Sequence, residues 1–152
     1  MGLYKYEDCI MGFKYDYLIE KKTVLCGPCA LARNGLITYS TDILFLQSSY
    51  EELDFVNLVY MEYWYYTNID YSFCVKPSED NPLILVPTKE RAIVDYLRIE
   101  KHCDEGVLIE ALKTYLLWFK NLDELYRVCE HFNVSRDLID YWIYEAEHDE
   151  EI

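Results

Sequence analysis

Leu83-Ile84-Leu85-Val86-Pro87-Thr88-Lys89-Glu90-Arg91-Ala92-Ile93-Val94-Asp95-Tyr96-Leu97-Arg98 is the stretch in which the chain changes its period. Up to Val86 the apolar residues follow one another without a break, as in a short strand. From Thr88 onward they recur every three to four residues, so Ile93, Tyr96 and Leu97 share one helical stripe. Thr88 suits the N-cap, because its hydroxyl can accept from an amide that the first helical turn leaves unbonded. A strand therefore runs directly into a helix here.

Upstream, β-rich runs at 22–26, 43–46, 55–66, 71–75 and 83–86 are separated by Asn, Asp, Ser and Pro clusters. The long run 55–66 places Val56, Leu58, Tyr60 and Trp64 on one face and Phe55, Val59, Met61 and Tyr63 on the other, so both faces need cover. Between the first two runs, residues 30–34 behind Pro28 read as a short helix that stops at Asn34-Gly35, a left-handed C-terminal signal. Before them, Tyr4, Tyr6, Ile10, Phe13, Tyr17 and Leu18 have helical spacing.

Downstream the helical period persists. Val107, Leu108, Ala111, Leu112, Tyr115 and Leu116 stripe a second helix. Asn121 with Glu124 opens a third in the manner of a capping box, with Leu122, Leu125, Tyr126, Cys129 and Phe132 on its apolar side. Ser135 caps a fourth, carrying Leu138, Ile139, Trp142 and Ile143. The expected fold is α/β (α+β): a mixed sheet of about five strands followed by a C-terminal layer of about four helices. The 152 residues suffice for one ordinary core. They divide into an N-terminal helical segment 1–21, a β-rich part 22–87, a helical part 88–147 and an acidic tail 148–152.

Fourteen basic residues against twenty-eight acidic ones give a formal charge of −14. That is the wrong sign for a surface that gains affinity by releasing counterions from phosphates, so autonomous nucleic-acid binding is not expected. The segment 104–152 holds thirteen acids and four bases, either a solvated face or a docking surface for a basic partner. No signal peptide pattern and no apolar run of membrane-spanning length occurs, which predicts a cytoplasmic protein without membrane attachment. The six cysteines sit mostly within apolar patterns and are expected as reduced thiols.

Cys26-Gly27-Pro28-Cys29, between a strand and a helix, has the spacing of a thioredoxin-like dithiol, in which helix amides lower the first thiol's pKa. Val86-Pro87-Thr88 is similar to the proline segment that faces such a dithiol. The helix closing at Asn34-Gly35 is too short for that fold, and a helix follows Pro87 where a strand should. Two readings stand: a tight strand-to-helix turn holding two ordinary cysteines, or a redox pair Cys26/Cys29 in a thiol-disulfide oxidoreductase.

The same stretch, running from Gly27 to Leu36 and followed by Ser40-Thr41-Asp42-Ile43-Leu44, resembles the opening of nucleotidyltransferases. In that family two carboxylates on alternate strand positions share magnesium ions that bind a triphosphate. Here Asp42 occupies the first position and Leu44 the second, and Glu62 is the one acid within a downstream strand. The resemblance thus implies the scaffold without its metal pair.

A broader likeness runs from about Lys22 to Glu147. The glycine turn at Gly27 with Ala30-Leu31 and Asn34-Gly35-Leu36, the β-rich middle and the helix start Thr88-Lys89-Glu90-Arg91-Ala92 come in that order. Gly106-Val107 with Ala111-Leu112 and a closing helix pair follow. The chain resembles the C-terminal domain of AbiEi-family antitoxins in these features. What the resemblance implies is a non-enzymatic antitoxin-like or regulatory protein of a bacterial or phage toxin-antitoxin or defence system, without a cofactor, acting against a nucleotidyltransferase-type toxin. Gly27, Asp42, Thr88, Glu90 and Arg91 are its motif positions. The residues before the first strand are too few for the family's DNA-binding winged helix, in keeping with the charge.

Arg91 and Arg98 lie seven apart on one helix and suit ion pairs with Asp95 and the acidic tail, or contact with an acidic partner or a phosphate. His102, Cys103 and Asp104, with His131 and His148 far along the chain, lack zinc-ligand spacing, so no metal is expected. An acidic protein-binding module or nucleic-acid mimic is the remaining alternative. Apolar residues on both faces of the 55–66 run make a homodimer a further option.

Overall fold

A computed structural model describes residues 23–38, 44–47, 61–63, 69–79, 82, 84–99 and 104–149. Strands β1 (Thr23–Leu25), β2 (Leu44–Gln47), β3 (Met61–Tyr63), β4 (Val75–Pro77) and β5 (Ile84–Pro87) form one sheet in the order β3-β2-β1-β5-β4. β1 runs antiparallel to β2 and parallel to β5, with Val24 opposite Gln47 on one side and Leu85 on the other. β2 pairs parallel to β3, and β4 antiparallel to β5. The fold is α+β with a mixed sheet, as its sequence pattern predicts. The central strands β1 and β5 are wholly buried, while the edge strand β4 exposes Lys76 and Pro77, a cation and a residue without an amide donor that both discourage further strand pairing.

Helix α1 (Gly27–Arg33) follows β1 directly and ends in a Schellman motif. The amides of Gly35 and Leu36 donate to Ala32 O at 3.0 Å and Leu31 O at 2.9 Å, with Gly35 at φ 75°. Asn34 Nδ2 donates to Pro87 O at 3.0 Å and ties this helix end to β5.

α2 (Lys89–Arg98), α3 (Glu105–Thr114), α4 (Leu122–His131) and α5 (Arg136–Glu147) form the C-terminal layer. α2 lies at its centre, packed on α1, α3 and α4, and every residue from Arg91 to Leu97 is buried. Each fully buried Leu or Ile in this layer contributes about 1.5–3 kcal/mol. The side chains of Thr88, Asp104, Asn121 and Ser135 all accept from amides in the first turns of their helices. Only one arm of the expected capping box at α4 forms. Asn121 Oδ1 accepts from Glu124 N at 3.2 Å, but Asn121 N donates to the hydroxyl of Tyr115 and Glu124 turns to Arg127.

Two expectations change. The run at 71–75 is a turn followed by β4, because Asp70 Oδ1 accepts from the amides of Ser72 at 2.8 Å and Phe73 at 2.9 Å, and Cys74 takes φ 56°. Leu138, expected on the buried stripe of α5, is 42% exposed, since Ile139, Ile143 and Ala146 face the layer instead. The N-terminal helix, the tail 150–152, Asp42, and most of the 55–66 run lie outside the described residues.

Candidate functional site

The Cys26–Cys29 turn is built on Gly27, whose φ of 66° is the left-handed conformation that glycine adopts freely. A Cβ there would stand 3.0 Å from Phe45 Cβ, so β2 also requires the missing side chain. Cys26 N donates to Phe45 O at 2.8 Å, and Cys29 Sγ accepts from Phe45 N at 3.2 Å while lying 3.1 Å from Cys26 O. Both thiols are buried, Cys26 at 1% exposure and Cys29 at 8%. Burial pushes the Cys29 thiol up to about 12. Burial, the neighbouring Cys29 and Asp95 raise that of Cys26 well above its ordinary value. A dithiol nucleophile needs an accessible sulfur of lowered pKa, and this pair has neither property.

The motif residues at the start of α2 hold the molecule together. Thr88 Oγ1 accepts from Arg91 N at 3.3 Å, and Thr88 N donates to Cys74 O at 2.9 Å. Glu90 Oε2 lies 2.7 Å from the hydroxyl of Tyr115, which sits 2.8 Å from Asn121 O. Burial and the Glu90 carboxylate together raise the Tyr115 hydroxyl above its ordinary value.

Arg91 and Asp95 are both fully buried and paired, Nε to Oδ2, at 3.1 Å. Arg98 Nε reaches Asp95 Oδ1 at 2.7 Å, and Gln47 Nε2 from β2 donates to Asp95 Oδ2 at 2.8 Å. Arg91 Nη1 donates to Asp70 O at 2.7 Å and Phe73 O at 2.8 Å, and both guanidinium groups lie over the ring of Phe132, 4.9 and 4.3 Å from its centroid. Of the expected ion pairs of these two arginines, those with Asp95 are realised; among the described residues neither arginine pairs with the acidic tail. Gln47, Asp70 and Phe132 come from three other parts of the chain, and no spacing in the sequence links them.

At the edge of this network His131 Nε2 lies 2.9 Å from Asp70 Oδ2, its ring stacked on Phe73 at 3.6 Å. The amide of Ser72, then His131, hold the Asp70 carboxyl well below the usual range. An open pocket of about 560 Å³ lies beside it, bordered by Asp70, Arg98, His131 and Asn133. A larger cleft of about 680 Å³ lies along β4 and the start of α2, where Arg33, Lys76, Thr88, Lys89 and Glu90 meet. Among the described residues no three His, Cys, Asp or Glu side chains are grouped to hold a metal ion, and no helix is long and apolar enough to cross a membrane.

Among the described residues, the exposed large apolar side chains gather in two places. Leu117 and Trp118, both 72% exposed, project from Tyr115–Phe119, where α3 widens into a π-helical turn. Leu138, Tyr141 and Tyr144 stand on the outer side of α5. Tyr141 and Tyr144 lie off the apolar stripe expected from the sequence, whereas Leu138 is expected on it. No known protein family matches this chain, and no curated protein does so either.

Proposed function

We propose that this chain is a non-enzymatic, antitoxin-like regulatory protein of a bacterial or phage toxin-antitoxin or defence system, working in the cytoplasm against a nucleotidyltransferase-type toxin. The observation that supports the reading is the joint behaviour of its motif residues. Thr88, Glu90 and Arg91 each fasten the start of α2 to a different neighbour: Cys74 at β4, Tyr115 at the end of α3, and the loop at Asp70–Phe73. These contacts fasten elements to one another, in keeping with a non-enzymatic reading. Leu44 at the second carboxylate position agrees with a scaffold that has no two-metal centre. The net charge of −14 points to a protein partner rather than to nucleic acid.

Co-expression with the adjacent open reading frame, scored by growth against each gene alone, tests the reading. Toxicity of the neighbour relieved by this chain is the expected result. A toxic neighbour that this chain does not relieve, or a harmless one, counts against it.

A further inference from the structure

α5 enters the helical layer through Ile139, Ile143 and Ala146, all buried. At about 100° per residue, Tyr141, Tyr144 and His148 fall within one narrow stripe on the opposite side. Tyr141 is 53% exposed and Tyr144 56%, and the His148 ring stacks on Tyr144 at 3.9 Å. Asp137 lies within the stripe, Asp140 and Glu147 flank it on one side, and Leu138 and Glu145 on the other. The one base of this helix, Arg136, is drawn to the flank, 3.8 Å from Asp140 and over the ring of Tyr126 at 3.4 Å. The result is an aromatic centre with an acidic rim, the inverse of a groove with apolar walls and basic edges.

We propose that this outward face of α5 docks a protein partner that offers an apolar groove rimmed by lysine and arginine side chains; the choice of partner for the test rests on the antitoxin-like reading. Tyrosines suit the centre of such a contact, because they bring large rigid area at small entropic cost and rank among the residues that dominate interface energies. The occupant follows from charge. The rim itself carries Asp137, Asp140, Glu145 and Glu147 against the single base Arg136, so a second copy would set it against its own like charges, whereas a basic rim is steered to it.

The test mixes the purified full chain with the purified product of the adjacent reading frame and reads binding by calorimetry at increasing salt. Wild type is expected to bind, more weakly as salt rises, and the double variant Tyr141→Ser with Tyr144→Ser to bind about tenfold or more weakly. A second pair, Glu145→Lys with Glu147→Lys, leaves the tyrosines in place and keeps the test decisive should the first variant fold poorly; it too is expected to lose affinity. Unchanged binding by a folded variant overturns the proposal, as does absence of binding by wild type. So does sedimentation showing self-association of wild type that the tyrosine variant abolishes. Growth rescue without binding leaves the antitoxin-like reading standing and removes this docking surface; binding without rescue does the reverse.

Discussion

Gln47 and Asp95 stand 48 positions apart in the chain and 2.8 Å apart in space, the amide of β2 donating to the carboxylate of α2. The same carboxylate takes both Arg91 and Arg98, so one buried acid joins the sheet, the central helix and, through Arg91, the loop at Asp70–Phe73. Replacing Asp95 by Ala would leave Arg91 buried without its counter-charge. We expect a loss of about 3–5 kcal/mol in urea unfolding, large enough to unfold much of the protein at ambient temperature. A loss below about 1 kcal/mol would show that water reaches the cluster.

The two left-handed glycines, at the start of α1 and just past its end, separate conformational cost from steric cost. Gly35→Ala meets nothing within 4 Å and is expected to cost about 1 kcal/mol through its backbone alone. Gly27→Ala adds a contact of 3.0 Å with Phe45 Cβ, so we expect roughly 1–3 kcal/mol beyond that. Equal thermal shifts for the two variants would refute the tight seating of the turn on β2.

Burial of Cys29 shapes the alkaline limit of stability. Its folded pKa, about 12, lies above the ordinary 9.0, so its protonated form is favoured by folding. That contribution is complete below about pH 9 and is lost as pH rises toward 12, by up to ~1.4 kcal/mol per pH unit. Denaturant midpoints of Cys29→Ala should therefore fall less steeply across this range than those of wild type. Thiol labelling near neutral pH should leave Cys26 and Cys29 unmodified until the protein unfolds; rapid modification of either in the folded state would restore the redox reading.

Asp70 acts at the acidic limit. Its folded pKa is depressed below the ordinary 3.8, so the stability it lends is present above about pH 4 and lost as pH falls through the folded value. Asp70→Asn is expected to lower the melting temperature at neutral pH and to flatten the decline in acid. Parallel curves for variant and wild type would mean that the links to Ser72 and His131 contribute nothing measurable.

The four C-terminal helices, the caps Thr88, Asn121 and Ser135 and the closing Asn34-Gly35 turn were set by the sequence alone, since each depends on neighbours within one or two turns: an apolar repeat, a side chain that accepts an amide, a glycine free to take positive φ. The strands at 22–26, 43–46 and 83–86 were equally legible as short apolar runs. The turn at 71–74 was not, because its aromatic and sulfur side chains suggest a strand while the carboxylate of Asp70 gathers the amides that a strand would need.

Tertiary structure decided the rest. Arg91, Asp95 and Arg98 form what looks locally like the solvated side of an amphipathic helix, and only the arrival of Gln47, the loop at Asp70–Phe73 and Phe132 turns that side into an interior. Likewise the spacing in α5 selects Ile139 and Ile143 for the buried side, but nothing within its sequence shows that Leu138, next to them, turns outward. Helical spacing groups side chains into faces; which face meets water is fixed by the elements packed against it, and these come from distant parts of the chain.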